Sequence, residues 1–289
     1  MRLLNSTALS IWFWSLFIFL VVNIFLSLWF SQLFSKSFNK INNNYLDEIR
    51  ELKSKRPNDK VVVVIGSSKV RYGFYCPSYY DALFQDRIHV FKIQENGFKL
   101  DHFLDDLDII NNLAQSRPDL VLIESDIMLF QPPLETQQAE YYNKYIKRIK
   151  YVKNNLILHK VPKLICKIPY LANGNDSTNI KTYQRKLNHK SIIQSYAEKI
   201  AVLQTKGVNV DLIQIPYPWQ INQLIDKDID KGKYREVLEV LKSDYHIDFW
   251  QMESNMPWSA YIDNGHLNQI GRERFNKWFI PSLTNKLRD

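Results

Sequence analysis

Val61-Val62-Val63-Val64-Ile65-Gly66-Ser67-Ser68 is the stretch that decides the fold. A continuous β-branched run offers no polar face to water, so it reads as a strand buried on both sides, the condition of a central strand in a parallel sheet. The small residues that end it suit a tight strand-to-helix turn. Outward from it, RIHVFKIQENG (Arg87 to Gly97) reads as a second strand and DLVLIESD (Asp119 to Asp126), after Pro118, as a third. PKLICKIPYL (Pro162 to Leu171) reads as a fourth and NVDLIQIPYP (Asn209 to Pro218) as a fifth. Between them, apolar residues recur at helical spacing: Leu100, Phe103, Leu104, Leu107 and Ile110; Tyr142, Tyr145, Ile146, Ile149 and Val152; then Tyr183, Leu187, Ile193, Tyr196, Ile200 and Leu203, closed by Gly207 as a C-cap. Strands alternating with helices imply βαβ units, hence an α/β domain with a five-stranded parallel sheet. In such sheets ligands bind beyond the carboxyl ends of the strands, where the strand order reverses.

The remaining composition excludes several classes. Of 289 residues 45% are hydrophobic and 24% charged, which is too apolar for a disordered chain and ample for a buried core. Cys76 and Cys166 form at most one bridge, so neither a disulfide-stapled mini-domain nor a cysteine zinc site is available; Cys166, in mid-strand, reads as small core filler. None of His89, His102, His159, His189 and His246 has a partner at metal-ligand spacing, so no metal is expected. A net charge of +8 spread over this length, with Lys181, Arg185, Lys186 and Lys190 read as a solvated helix face, gives no reason to expect a nucleic-acid partner.

From Leu3 to Ser35 there is no ionisable side chain, and Ile11 to Phe34 is apolar enough and long enough for a membrane helix, which needs roughly 20 such residues. Trp12, Trp14 and Trp29 lie near its ends, where interfacial anchors belong. With no small-residue cleavage site after Phe34, an uncleaved anchor over 1–36 is expected. Asn23, in mid-span, either bonds within its own helix or pairs with a partner helix. Residues 37–58, with Ile41, Tyr45, Ile49 and Leu52 at helical spacing, read as a juxtamembrane helix, and 59–289 as the globular domain. Arg2 on one side against Lys36 and Lys40 on the other leaves orientation undecided.

Two segments carry chemistry. After the first strand stand Gly66-Ser67-Ser68 and then Lys69, Val70 and Arg71. A serine at a strand-to-helix turn has an exposed hydroxyl and a free amide at the positive end of a helix, as an acyl-transfer nucleophile requires; the same serines also suit a plain helix cap. Near the C-terminus, Asp263 and His266 sit three apart in Tyr261-Ile262-Asp263-Asn264-Gly265-His266-Leu267-Asn268-Gln269-Ile270-Gly271, before a helix whose buried face would carry Ile270, Phe275 and Phe279. That spacing lets a carboxylate hold Nδ1 of an imidazole while Nε2 takes a serine proton; an aspartate cap beside an incidental histidine is the plainer alternative. Trp219, Trp250 and Trp258 lie in the late loops, where a sugar could stack or the core could close.

Together, the GxS turn and the DxxHLNxxG segment resemble the SGNH/GDSL hydrolase family from Val61 to about Leu283. The resemblance implies a flavodoxin-like three-layer fold, Ser68 as nucleophile, His266 as general base and Asp263 as its orienting acid, with no cofactor. It also implies an oxyanion hole from the Ser68 amide and the second-block glycine, Gly97. The third block departs: Ile123-Glu124-Ser125-Asp126 stands where the family has GxND, and Gly174-Asn175-Asp176 follows only after the fourth strand. Asn96 is the expected substitute donor. GSS followed by a basic residue, behind an N-terminal anchor, looks like the membrane-tethered acyl-transfer branch, which implies an extracytoplasmic domain on the cell membrane, a cell-surface glycan as substrate and a multi-span membrane acyltransferase as partner. An esterase releasing acyl groups to water, and an inactive scaffold in a polysaccharide-assembly complex, are the alternatives.

Overall fold

The computed structural model describes residues 12–23, 25, 46–94, 100–104, 107–131, 186–253, 256–263 and 265–288. The chain forms two compact units, Met1–Asn44 and Tyr45–Asp289.

In the first unit residues 12–23 are helical and their apolar side chains, from Trp12 to Val22, are largely exposed. The Asn23 side-chain amide donates to the Phe19 carbonyl at 2.8 Å, so it bonds within its own helix. Among the described residues no helix is long and apolar enough to cross a membrane.

The second unit is α/β. Among the described residues its sheet has five strands, β1 (Lys60–Gly66), β2 (Ile88–Gln94), β3 (Leu120–Glu124), β4 (Val210–Ile213) and β5 (Phe249–Trp250). They pair in the order β2-β1-β3-β4-β5, all parallel, which is the flavodoxin-like order. The chain leaves β1 to one side and returns to β3 on the other, so the crevice of the fold opens where β1 and β3 end. The helices described are α1 (residues 46–55), α2 (Ser68–Gly73), α3 (Pro77–Leu83), α4 (Leu100–Leu104), α5 (Leu107–Ser116), α6 (Ser125–Leu129), α7 (Lys190–Thr205), α8 (Trp219–Asp228), α9 (Lys231–Tyr245) and α10 (Gln269–Lys286). Gly207, φ +81°, follows α7 as expected of its C-terminal stop.

The sheet is covered on both faces. Val62, Val64, Val90, Leu120 and Leu122 pack with Val70 of α2, Phe74 just after it, Tyr80 of α3 and Phe275, Phe279 and Leu283 of α10. The alternate residues Val61, Val63, Ile65, Val121 and Ile123 are just as fully buried, which explains why β1 shows no polar alternation.

Several expectations change. Among the described residues the Asn209–Pro218 stretch holds the fourth strand in chain order; Pro162–Leu171 lies outside them, as does the stretch Tyr142–Val152 where a helix is expected. The fifth strand is Phe249–Trp250, whose two residues are too few to leave any periodicity. It is held by the Leu212 amide on the Asp248 carbonyl (2.8 Å), the Gln214 amide on the Trp250 carbonyl (2.9 Å) and the Trp250 indole on Asp211 (3.0 Å). Residues 46–55 do not stand apart from the domain: Leu46 and Ile49 are wholly buried, Ser116 donates to the Leu46 carbonyl, and Lys53 bonds Asp119. Ile270 is exposed, because α10 turns Phe275 and Phe279 to the core instead. Cys76 is disulfide-bonded, and Cys166 lies outside the described residues.

Candidate active site

The two serines after β1 divide the two roles open to them. Ser67 is the N-cap of α2, its hydroxyl accepting from the Lys69 amide at 3.3 Å. Ser68 opens the helix, where backbone N–H groups have no intrahelical acceptor, and its hydroxyl lies 2.7 Å from His266 Nε2. His266 Nδ1 lies 2.7 Å from Asp263 Oδ2. Because a carboxylate only accepts, Nδ1 carries the proton and Nε2 is the acceptor for the Ser68 hydroxyl.

Asp263 also serves both of its possible roles. Its Oδ1 accepts from the Gly265 and His266 amides, each at 2.9 Å, while Oδ2 holds the imidazole. Partial burial alone would raise its pKa; the bond and charge of His266, with those two amides, pull it below the ordinary aspartate range. The short loop carrying the pair is pinned at its base, where Tyr261 bridges Leu267 and the Ile262 amide donates to the His266 carbonyl at 2.8 Å. Asn268, wholly buried, caps α10 through the Gly271 amide (3.1 Å) and donates to the Ser259 carbonyl (2.7 Å). Gly271 has no room for a side chain: a Cβ there would stand 2.1 Å from the Ala260 carbonyl oxygen. On the outer side the Tyr72 ring lies against the His266 ring, centroids 4.7 Å apart.

Behind Ser68 is a buried polar network that the sequence motifs do not announce. Glu124, the last residue of β3, accepts from the Ser67 amide (2.7 Å) and the Ser67 hydroxyl (2.8 Å). Asp126 accepts from the Lys69 ammonium and from the Tyr217 hydroxyl (2.6 Å), and the same ammonium sits 3.2 Å from the centre of the Tyr217 ring. Residues 67 and 69 are thus both tied to the end of β3, which fixes the backbone of Ser68 from either side. Burial, and then the charge of Asp126, push the Glu124 carboxyl above its usual range; burial does the same to Asp126, opposed by Lys69. Gly66 is required by this packing, since a Cβ would lie 2.5 Å from Glu124 Oε2 and from Val70 Cγ2. The available signal was Glu124-Ser125-Asp126 itself: two carboxylates at the end of a fully buried strand need partners, and the nearest polar residues in the fold are those of the β1 turn.

Gly97 and Asn96, expected in the oxyanion hole, lie outside the described residues, as does the Gly174-Asn175-Asp176 segment. His89 is structural, held between Asp81 (2.7 Å) and Asp59 (3.3 Å). Trp250 is committed to Asp211 and the core; Trp219 is exposed at the start of α8, and Trp258 is half-buried against Tyr217 and Ile221. Among the described residues no group of His, Cys, Asp and Glu could hold a metal ion.

Comparison of the chain with protein-family models, with curated proteins and with solved structures returned no match.

Proposed function

We propose that the chain is a serine acyltransferase of SGNH type, tethered to the cell membrane by Ile11–Phe34, that moves an acyl group onto a cell-surface glycan. The observation that carries this reading is the continuous relay from Ser68 through His266 to Asp263, two 2.7 Å hydrogen bonds at the crevice where β1 and β3 end. In the first half-reaction Ser68 Oγ attacks the acyl carbonyl as its proton passes to His266 Nε2, and the imidazolium is balanced by Asp263. Collapse of the tetrahedral intermediate breaks the ester bond, and the leaving alkoxide takes the proton from Nε2. In the second half-reaction an acceptor hydroxyl gives its proton to Nε2 and attacks the acyl-serine, and Ser68 recovers its proton as it leaves. The Ser68 amide, with the second-block glycine Gly97 and Asn96 as partners, is the proposed oxyanion site.

Tethering supports transfer over hydrolysis, because a partner in the same membrane can deliver the acyl group and an oriented hydroxyl outcompetes water by effective molarity, on the order of 10⁵ M for well-aligned groups. The disulfide at Cys76 supports an oxidising, extracytoplasmic setting. The test is labelling of the full chain in mild detergent by a serine-directed fluorophosphonate, with the modified residue located by mass spectrometry. Ser68 is the expected adduct site, absent in Ser68→Ala; a chain that takes no label overturns the enzyme reading in favour of a scaffold. Labelled chain that releases only free acid from acyl donors, at a rate no saccharide alters, makes it an esterase.

A further inference from the structure

We infer that the helix carrying the nucleophile ends in a receptor for an anionic group of the substrate, a phosphate or carboxylate, built from Arg71, Lys92 and Arg272. This deepens the acyl-transfer reading and takes from it that Ser68 is the reacting residue.

Lys92 lies within β2, where a buried face calls for an apolar side chain, and the residue is only 4% exposed. Its hydrogen bond goes to a neutral acceptor, the Phe74 carbonyl just beyond the end of α2, at 3.2 Å. Arg71, in the last turn of α2, has its guanidinium beside the Tyr72 ring, 5.8 Å from its centre. Neither cation has a carboxylate at ion-pair distance among the described residues. Arg272 reaches in from the first turn of α10, 4.9 Å over the Tyr75 ring, and that stretch of α10 is fixed to α2 by Asn276, which donates to the Gly73 carbonyl at 2.8 Å. All three side chains lie at the end of α2, and burial first, then the charges of Arg272 and Arg71, bring the Lys92 pKa down to about 8. Glu273, exposed on α10 and bonded to Gln269, is the carboxylate that acts on Arg272.

Gathering two guanidiniums around a buried ammonium is costly unless an anion is to be received there, and two guanidiniums with an ammonium match the oxygens of a phosphate or carboxylate. The location fits a substrate. A helix rises about 1.5 Å per residue, so Arg71 stands about 5 Å beyond Ser68 along α2, with Tyr72 between the cluster and His266. A charge on the unit next to the reacting ester would reach it.

The experiment labels the full chain in detergent with three fluorophosphonates of equal length, ending in a methyl ester, a carboxylate or a phosphate monoester. The readout is each charged probe's labelling rate divided by that of the neutral probe in the same protein. A ratio of about ten is expected for wild type with one or both charged probes, the better of the two naming the anion, and about two or less for Arg71→Gln and for Lys92→Met. A wild-type ratio near one overturns the anion receptor and leaves the triad standing. Orthophosphate titrated calorimetrically into Ser68→Ala reads the receptor without the nucleophile: saturable binding that weakens about tenfold on adding Arg71→Gln supports it, and the absence of saturable binding overturns it. Phosphate binding in a chain that no probe labels would remove the acyl-transfer reading and keep the receptor.

Discussion

Lys92→Met should make the protein more stable at neutral pH, and the gain should vanish in alkali. In the folded chain burial, with Arg272 and Arg71 behind it, lowers the Lys92 pKa from 10.5 to about 8, a gap that corresponds to about 3 kcal/mol. The native state binds this proton less tightly than the unfolded chain does, so the destabilisation is complete below pH 8, shrinks between 8 and 10.5, and is absent above. Methionine keeps the length and loses the charge, at the cost of the bond to the Phe74 carbonyl, about 1 kcal/mol. The net expectation is a gain of about 2 kcal/mol at pH 7, turning into a loss of about 1 kcal/mol above pH 10.5. Urea unfolding of both proteins in detergent, followed by circular dichroism at a series of pH values, measures the difference while cancelling every other titration. A variant less stable than wild type at pH 7, or a gap that does not move with pH, refutes the reasoning. Saturating orthophosphate should narrow the gap at pH 7 by stabilising wild type alone.

Ser67→Ala should keep measurable labelling of Ser68 while losing about 1–2 kcal/mol of stability, because the Glu124 carboxyl loses a hydroxyl donor in a buried site; a dead Ser67→Ala beside an active Ser68→Ala would reassign the nucleophile. Gly66→Ala should cost about 2–4 kcal/mol in urea unfolding, since its methyl would fall within 2.5 Å of Glu124 and Val70. Lys69→Met should destabilise by about 3 kcal/mol, and Asp126→Asn in the same chain should recover much of that, as a double-mutant cycle would read directly. An alkaline phosphatase fused after Asp289 should be active in cells, and activity of a cytoplasmic reporter alone at that position would reverse the proposed sidedness.

The parts of the fold legible in the sequence are those with an unbroken pattern. Val61–Ile65 announces a central strand because both of its faces are buried, and Asp263 and His266 are legible as a pair because their geometry is set within one loop. What was hidden depends on partners distant in the chain. Phe249–Trp250 is a strand only because β4 lies beside it, and Asp211 holds it there. Lys92 gives no sign in an otherwise apolar run that its ammonium is buried, and nothing local to Arg272 shows that α10 brings it to the end of α2. The serine pair suits a helix cap and an exposed hydroxyl equally well in sequence; only the fold shows that Ser67 caps α2 and bonds Glu124 while the Ser68 hydroxyl meets His266.

Asp263 divides its two oxygens between the loop's own amides and the imidazole, so the carboxylate and the imidazole are held to each other within Tyr261 to Leu267. The pair is therefore a prefabricated cassette, mounted on the start of α10 and complete before it meets the serine. Its bond to the Ser68 hydroxyl crosses from the loop before α10 to the start of α2. In the proposed reaction a slide of about an ångström between α10 and α2 would part that bond and leave both halves undamaged, so the alignment of α10, set by Asn276 on the Gly73 carbonyl, would be its throttle.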